Sequence, residues 1–327
     1  MRASAIAHPN IALIKYWGKN DVGKNLPAVG SLSVTLGALS TETTVEFDGS
    51  LERDELILNG QEQPGELPRL KACLDAMREF SGTSEYARVN SVNDFPTGAG
   101  LASSASGYAA LVTAAAGALG IASTDEWPEQ GIIDITRIGS GSAPRSLFGG
   151  IVLLDQQGED TALTQLSGAE DWVLSAAVAV TTESGKDVSS RDGMERSRDT
   201  SPYYAPWIDT HPADLETATK LIEARDFFTL AELAEHNCLK MHAVMMTTRP
   251  PLLYWSPVTM ACMQTITSLR ADGVPVFFTV DAGPQVNAIC LPDSLAEVTA
   301  ALHEVPGVIR IIAGDLGEGA RIVTSDD

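Results

Sequence analysis

Residues 93–106 have the sequence NDFPTGAGLASSAS, a glycine-rich turn that runs directly into an uncharged, alanine-rich segment. Pro96 closes the preceding strand, Gly98 and Gly100 allow positive φ and close approach to the backbone, and two serines open a helix. A helix start of this kind presents free N–H groups and a positive dipole end to an anion, most often a phosphate. It is neither the dinucleotide fingerprint nor the GxxxxGK(S/T) loop, because the third glycine and the lysine are absent. The turn alone leaves phosphate binding and a purely structural role both open.

The charge balance is strongly acidic. The 327 residues include 22 Lys and Arg against 43 Asp and Glu, which gives a net charge of −21. This argues against nucleic acid or an anionic membrane as a partner. An enzyme that acts on phosphorylated substrates would therefore have to concentrate its few cations in one pocket.

Cysteine usage and the N-terminus indicate a cytoplasmic protein. The four cysteines show no CxxC pair, so neither a zinc site nor a disulfide framework is predicted, and buried reduced thiols are expected. His236 and His242 are six residues apart, on different faces of a helix, which favours structural or surface roles. The first residues lack the apolar core of a signal peptide. Residues 98–124 carry no charge, but their small side chains suit a packed internal helix better than a bilayer span.

Hydrophobic periodicity predicts an α+β protein with two domains, a natural division for this length. A polar, charge-dense loop at Glu183–Arg198 marks the boundary between them. Helices are predicted at 69–80, after the glycine turn, and at 134–138, 213–223, 230–246, 257–271 and 295–303; strands are predicted at 31–36, 43–47, 55–58, 87–92, 151–154, 172–180, 276–280, 288–291 and 308–312.

Five segments place polar groups on tight turns or loops. They are Lys15–Lys19, the glycine turn, Gly139–Ser146, the Lys186–Arg191 loop and Asp281–Pro284. Each has an ordinary structural explanation by itself, such as a solvated lysine or a turn-forming aspartate. Together they form a basic, hydroxyl-rich and glycine-rich set with one carboxylate, which is the equipment of phosphoryl transfer.

In sequence and order these segments resemble those of the diphosphomevalonate (mevalonate diphosphate) decarboxylases. That family belongs to the superfamily of galactokinase, homoserine kinase, mevalonate kinase and phosphomevalonate kinase. The resemblance extends over nearly the whole chain; the glycine turn is shared across the superfamily, whereas Tyr-Trp-Gly-Lys and Ser-Gly-Ser-x-x-Arg-Ser point to the decarboxylase branch. It implies the superfamily's α+β fold, with mixed sheets, helices packed on them and the active site in an interdomain cleft. The expected domains are an N-terminal ATP-binding domain (ribosomal S5 domain 2-like) at residues 1–185 and a ferredoxin-like C-terminal domain at residues 186–327.

The resemblance implies a reaction and three catalytic residues. Mevalonate 5-diphosphate and ATP would give isopentenyl diphosphate, ADP, phosphate and CO₂. ATP phosphorylates the tertiary C3 hydroxyl, departure of that phosphate develops positive charge at C3, and the neighbouring carboxylate is lost as CO₂. Asp281 matches the aspartate that faces the C3 hydroxyl, Arg145 the arginine that grips the carboxylate, and Lys15 a lysine near Asp281 and the transferred phosphate.

The resemblance also assigns the phosphate-binding residues. Those expected around the substrate diphosphate are Tyr16, Lys19, Arg69, Ser140, Ser142, Ser190 and Arg191, with Lys186 nearby. Those expected around ATP are Asn93, Gly98, Gly100, Ser103 and Ser104, with Mg²⁺ at Ser104. Six cations would then converge on one pocket. This would provide the cationic site that phosphorylated substrates require in a protein of acidic composition. A homodimer is expected by the same resemblance.

The chain departs from the family pattern beside functional positions. It has Val29-Gly30 where the family usually has Asn-Ser, Asp94 for Asn, Gly98 for Ala and Pro144 for Cys. These differences leave a related kinase or decarboxylase acting on mevalonate or mevalonate 5-phosphate as the alternative. A catalytically silent binding protein of the same fold is a second alternative, and the presence of Lys15, Asp281 and the loop serines argues against it.

Overall fold

The computed structural model describes residues 1–21, 23–95, 101–121, 128–158 and 160–323. The helices in these ranges are α1 (Leu67–Ser81), α2 (Ser103–Ala118), α3 (Gln130–Gly139), α4 (Ser190–Thr200), α5 (Tyr204–Ala224), α6 (Phe227–Met246), α7 (Pro257–Ala271) and α8 (Leu295–His303). The strands are β1 (Arg2–Ala7), β2 (Asn10–Ile14), β3 (Lys19–Asp21), β4 (Leu26–Pro27), β5 (Ser31–Thr35), β6 (Thr41–Asp48), β7 (Glu55–Leu58), β8 (Gln61–Glu62), β9 (Tyr86–Asn93), β10 (Ile151–Gln157), β11 (Asp160–Ser167), β12 (Ser175–Val180), β13 (Val276–Thr279), β14 (Val286–Cys290), β15 (Arg310–Asp315) and β16 (Arg321–Ile322).

The strands form three main sheets, so the predicted α+β class is confirmed. The first has the order β16-β1-β6-β9-β7-β8, in which only the β7–β9 pair among these described strands is parallel. The second has the order β11-β10-β5-β2 and the third β13-β14-β12-β15, both antiparallel. The short pair β3 and β4 forms a separate ribbon.

Helix α2 lies in the core against the first sheet, and its small residues allow this close packing. Its residues Ala105, Ala109 and Ala110 are fully buried. A Cβ added at Gly117 would lie 2.5 Å from Ile322 Cδ1 and 3.2 Å from Ala3 Cβ, so the helix reaches β1 and β16 only because the position lacks a side chain. The central part of α2, from Ala105 to Ala116, is therefore mostly buried in the protein, as predicted for a packed internal helix. Within the described ranges, no helix combines the length and apolarity that a bilayer span requires.

The third sheet is buried on both faces. Alternate residues such as Val178 and Phe277 pack with the second sheet and with α5 and α6, whereas Ala177 and Phe278 pack with α7 and α8. One continuous apolar core thus joins the second and third sheets. It fixes the position of the loop after β13 relative to the end of β2, where the predicted catalytic residues lie.

The predicted loop at 183–198 is wrong in its second half, which is helix α4. Ser189 caps the helix by accepting a hydrogen bond from the Asp192 backbone N–H. A narrow face holds the helix in place, since Gly193 packs against the Trp17 ring and only Gly193, Met194 and Ser197 are buried. The segment has so few apolar residues that its composition indicates a loop. The division at residues 185 and 186 stays a prediction; β12, which precedes it, pairs with β14 and β15.

Candidate active site

A cavity of about 1160 Å³ opens between the first sheet with its helices and the C-terminal half of the chain. Its wall combines the end of β2, helices α1 and α2, the turn after α3, the start of α4 and the loop after β13. The structure brings together here most of the residues predicted for the site. Those that line the cavity are Tyr16, Lys19, Arg69, Asn93, Ser103, Ser104, Ser140, Ser142, Arg145, Lys186, Ser190, Arg191 and Asp281.

Lys15 and Asp281 form an ion pair at the base of the cavity. Lys15 Nζ donates to Asp281 Oδ1 at 2.5 Å, although the residues are 266 positions apart. The Lys15 side chain is 1% exposed and that of Asp281 is 30% exposed. Asp281 therefore faces the cavity, while Lys15 lies behind it and is not part of the cavity wall. Lys15 holds the carboxylate that faces the cavity.

The backbone around this pair is fixed from helix α6. Asn237 accepts a hydrogen bond from the Lys15 backbone N–H at 2.8 Å and donates to Asp214 at 2.7 Å. Cys238 contacts the Val280 backbone through its sulfur, and His242 Nε2 lies 3.1 Å from the Val280 carbonyl oxygen. Burial lowers the pKa of His242 to about 3, so the imidazole is neutral and structural. The helix thus holds the residues on which Lys15 and Asp281 depend.

Arg145 is a buried cation without a carboxylate partner among the described residues. Its Nε and Nη2 donate to Asn10 Oδ1 at 3.1 and 3.0 Å, and Nη1 donates to Ser31 Oγ at 2.5 Å. Burial lowers the pKa of Arg145 to about 10, which still leaves it protonated at neutral pH, and the charge of Asp281 opposes this shift. A desolvated guanidinium held by neutral oxygens is strongly attracted to an anion, and its planar fork matches a carboxylate.

Lys19 and Arg191 meet at the wall of the cavity, where they share one acceptor. Lys19 Nζ donates to Asn25 Oδ1 at 2.6 Å, and Arg191 Nη2 donates to the same oxygen at 3.2 Å. The Tyr16 hydroxyl is buried without a partner in the described structure, and burial raises the pKa of Tyr16 despite the nearby Arg145 and Arg191. A neutral hydroxyl between two cations is suited to donate to an anionic oxygen.

Lys186 connects the start of α4 with the loop that carries Asp281. Its Nζ donates to Ser190 Oγ at 2.7 Å and to the Ala282 carbonyl oxygen at 3.0 Å. Burial lowers the pKa of Lys186, and the negative charge of Asp281 opposes that shift. The hydroxyl of Ser190 and the N-terminal amides of α4 lie on the same side of the cavity, where the helix dipole favours an anion.

A row of serine hydroxyls runs from α2 to the turn after α3. Ser104 Oγ lies 3.3 Å from Ser140 Oγ, which lies 3.1 Å from Ser142 Oγ. Helix α2 begins at Ser103 after Ala102, whose φ of 53° is left-handed. Asn93 accepts a hydrogen bond from Thr41 at 2.7 Å. The glycine-turn predictions Gly98 and Gly100 lie outside the described residues.

The donor set around Ser104 suits a cation that is held mainly by phosphate. No group of three or more His, Cys, Asp or Glu side chains that could hold a metal occurs in the described part of the chain. Mg²⁺ at nucleotide sites is commonly held by one or two protein ligands, substrate phosphates and water. The hydroxyl of Ser104 is exposed beside the cavity and can supply such a ligand.

Three supporting asparagines were not predicted from the sequence. Asn10 orients Arg145, Asn25 joins Lys19 to Arg191, and Asn237 holds the backbone of Lys15. Of the three, only Asn10 stands out in the sequence, because its polar amide directly precedes the apolar run Ile11–Ile14. The other two act across separations of up to 222 residues, which no local pattern reports.

Comparison with known proteins agrees with this geometry. Residues 7–165 match the model of the diphosphomevalonate decarboxylase-like N-terminal domain, and residues 176–312 match the mevalonate 5-diphosphate decarboxylase C-terminal domain. The diphosphomevalonate decarboxylase of Candida albicans is 35% identical, with 98% of this chain and 97% of that protein covered. The human diphosphomevalonate decarboxylase is also 35% identical, with 91% and 79% covered.

Solved structures give the same result. The mevalonate diphosphate decarboxylase of Staphylococcus aureus superposes with a TM-score of 0.90 at 36% identity, covering 99% of this chain and 98% of that one. A structure described as MDDEF in complex with MVAPP, AMPPCP and magnesium has a TM-score of 0.89 at 37% identity, with 99% of both chains covered. The chain belongs to the diphosphomevalonate decarboxylase family.

Proposed function

We propose that this cavity carries out the family reaction, the ATP-dependent conversion of mevalonate 5-diphosphate to isopentenyl diphosphate, ADP, phosphate and CO₂. The observation that carries the proposal is the presence of two groups in one cavity. Asp281 exposes a carboxylate held by Lys15, and Arg145 presents a buried guanidinium that lacks an acidic partner in the described structure. The reaction phosphorylates a hydroxyl and removes a carboxylate on the neighbouring carbon. The hydroxyl needs a base such as Asp281, and the carboxylate needs a cation such as Arg145.

Asp281 accepts the proton of the C3 hydroxyl, or orients that hydroxyl, as the oxygen attacks the γ-phosphorus of ATP. Lys15 holds this carboxylate in place from behind through their ion pair. When the C3–O bond breaks and phosphate leaves, the electrons of the bond between C2 and the carboxylate carbon form the double bond, and CO₂ is released. Arg145 orients the carboxylate along this path, and its rigid attachment to Asn10 and Ser31 avoids reorganisation during the reaction.

The phosphate groups of the two substrates occupy adjacent parts of the cavity in this proposal. Tyr16, Lys19, Arg69 and Arg191, with the hydroxyls of Ser140, Ser142 and Ser190 and the nearby Lys186, bind the diphosphate of mevalonate 5-diphosphate. Asn93, Ser103 and Ser104 bind ATP together with Gly98 and Gly100, and Ser104 supplies a ligand to Mg²⁺. The row of hydroxyls from Ser104 through Ser140 to Ser142 supports this arrangement, since it runs between the two groups.

We also propose that the enzyme is cytoplasmic and forms a homodimer. The four cysteines are all buried and free, which accords with a reducing compartment. The homodimer is supported only by the family resemblance, and sedimentation of the purified protein tests it.

A kinase that phosphorylates C3 of mevalonate or mevalonate 5-phosphate without loss of CO₂ is the second candidate. Val29-Gly30, where relatives usually have Asn-Ser, favours a substrate difference. Gly30 is required here by packing, because an added Cβ would lie 2.5 Å from Leu215 Cδ2 and 2.9 Å from the Leu154 carbonyl oxygen. Val29 and Gly30 are thus tied to helix α5, and their replacement in this chain has a structural explanation that requires no other substrate.

The decisive experiment compares three substrates under identical conditions. Release of CO₂ and of ADP is measured with mevalonate, mevalonate 5-phosphate and mevalonate 5-diphosphate. We expect one CO₂ per ADP and a clear preference for the 5-diphosphate. ADP formation without CO₂, or equal turnover of the 5-phosphate, would refute the proposed reaction or substrate.

A further inference from the structure

Asn25 joins two cations that come from different parts of the site. Its Oδ1 accepts from Lys19, at the start of β3, and from Arg191, at the start of α4. Neither cation has a carboxylate within ion-pair distance in the parts of the chain that the structure describes. Two positive side chains therefore converge on one neutral oxygen at the wall of the cavity.

The amide of Asn25 is fixed so that its oxygen must face the cations. The side chain is buried, and Nδ2 donates to the carbonyl oxygens of Arg137 and Ile138 at 3.2 and 2.7 Å. Both amide protons are used, so a flip would place the oxygen against two carbonyls. The backbone has φ of 51°, a left-handed conformation that asparagine tolerates better than most residues. The last turn of α3 thus fixes where Lys19 and Arg191 meet.

The charges around Lys19 and Arg191 do not neutralise these two cations. Burial and the neighbouring Arg191 and Arg69 lower the pKa of Lys19 to about 8, and Glu195 opposes the shift without forming an ion pair. Lysine has three donors and arginine five, so each retains donors for the cavity after the contact with Asn25. A bound diphosphate offers more anionic oxygens than a monophosphate and can reach both cations at once.

We propose that Asn25 is the positioning residue that makes the site select a diphosphate over a monophosphate, by holding Lys19 and Arg191 together on a neutral acceptor. This inference rests on the proposed function, because it concerns the diphosphate of the same substrate. A carboxylate at position 25 would neutralise part of the charge that the ligand needs. An apolar or absent side chain would let the cations separate.

Two variants test the proposal. Asn25→Gly removes the amide and keeps the left-handed backbone unstrained; Asn25→Asp keeps the shape and adds a charge. Arg225→Gly is the control, since Arg225 has φ of 53° and is exposed at the end of α5. For Asn25→Gly we expect KM for mevalonate 5-diphosphate to rise by about 10- to 100-fold, the scale of a lost charge-assisted hydrogen bond. KM for ATP should stay within about twofold of the parent value, and the preference over mevalonate 5-phosphate should fall about tenfold.

A pH profile separates positioning from general structural damage. In the parent, KM for the diphosphate should rise above about pH 8 as Lys19 loses its proton. The midpoint should move to higher pH in Asn25→Asp, because the added charge favours the ammonium, and to lower pH in Asn25→Gly. Binding of inorganic pyrophosphate, measured by calorimetry, should weaken in parallel with KM and gives a readout independent of decarboxylation.

The outcomes distinguish this inference from the proposed function. If the parent neither binds pyrophosphate nor prefers the 5-diphosphate, the proposed function fails. If the parent does both and the Asn25 variants keep the same preference and the same midpoint, the role of Asn25 is refuted. A variant that raises the KM of ATP and of the diphosphate equally also refutes it, and Asn25→Asp decides the question if Asn25→Gly does not fold.

Discussion

Lys15 and Asp281 meet at 2.5 Å with very unequal exposure, 1% for the lysine side chain and 30% for the aspartate. Removal of either partner should therefore have different consequences. Without Asp281 a fully buried ammonium loses its counter-ion, whereas without Lys15 the remaining carboxylate is still reached by water from the cavity. The ion pair with Asp281 therefore stabilises the buried Lys15 ammonium in the folded protein, in addition to its role in catalysis.

Stability measurements should show this asymmetry. We expect Asp281→Ala to lower the free energy of unfolding by about 3–5 kcal/mol, the usual cost of leaving a buried charge unpaired. Lys15→Met should cost about 1–3 kcal/mol, because its partner remains hydrated. The double variant should be more stable than the sum of the two losses predicts. Urea unfolding of the four proteins gives the coupling energy, and strictly additive effects would contradict the asymmetric pair.

Turnover should depend on the charge of Asp281. Asp281→Asn keeps the size of the side chain but cannot take a proton, and we expect kcat to fall by about 10²- to 10⁴-fold. Binding of a fluorescent ATP analogue should remain within about threefold of the parent, since the residues assigned to the nucleotide are unchanged. Asp272→Asn, an exposed carboxylate at the end of α7, is the control. Near-normal turnover of Asp281→Asn would remove Asp281 from the role of base.

Loss of CO₂ should depend on the shape of Arg145 as well as its charge. Arg145→Ala should reduce CO₂ release by about 10²- to 10³-fold, on the scale of one lost charged contact in a dry site. Arg145→Lys should retain part of the rate, because the charge remains but the fork to Asn10 and the carboxylate is lost. Parallel assays of ADP and CO₂ give the measurement. CO₂ release that survives in Arg145→Ala would show that another group orients the carboxylate.

The chain's own sequence predicts the α+β class and many of its elements. Helices such as α7 at Pro257–Ala271 and α8 at Leu295–His303 have the predicted bounds, because the spacing of their apolar residues marks them. The polar composition of α4 predicts a loop, because the helix buries only one narrow face. The apolar pattern predicts α5 only from 213, after Pro212, although the helix starts at Tyr204. Local pattern cannot report a helix that a proline interrupts or that depends on tertiary contacts.

In the site, too, the sequence predicts some residues and not others. Tight-turn residues such as Lys15, Arg145 and Asp281 stand out in the sequence because several turns carry polar groups of one chemistry. Their supports do not, since Asn25 and Asn237 act through contacts that exist only in the folded chain. The sequence also does not report burial, which places Lys15 behind Asp281 and lowers the exposure of Arg145 to 3%.

A side chain at position 141 should weaken substrate binding, because it would collide with Tyr16. A Cβ at position 141 would lie 2.4 Å from the Tyr16 hydroxyl oxygen and 3.0 Å from Cζ, so the ring would have to move away from the diphosphate residues. We expect Gly141→Ala to raise KM for mevalonate 5-diphosphate by about tenfold, within the 1–3 kcal/mol typical of overpacking. Gly65→Ala is the control, since nothing lies within 4 Å of its added Cβ. Unchanged KM in Gly141→Ala would show that Tyr16 does not need its present position.

Acid should destabilise the protein through buried neutral histidines. Burial lowers the pKa of His211 to about 4 and that of His242 to about 3, below the ordinary value of 6.5. The unfolded chain therefore binds protons on these histidines between pH 6.5 and about 4 while the native state does not, so stability falls as the pH decreases. Each histidine contributes at most about 1.4 kcal/mol per pH unit in this range.

His211→Gln isolates one of these contributions. Glutamine can still donate to the Gly30 carbonyl oxygen, which His211 Nε2 contacts at 2.9 Å, but it does not titrate. Free energies of unfolding in urea, measured from pH 7.5 to 4.5, should show parent and variant converging as the pH falls, since only the parent loses the His211 contribution. Carboxylates titrate in the same range but are common to both proteins. Parallel curves would mean that His211 is protonated as readily in the native protein as in the unfolded chain.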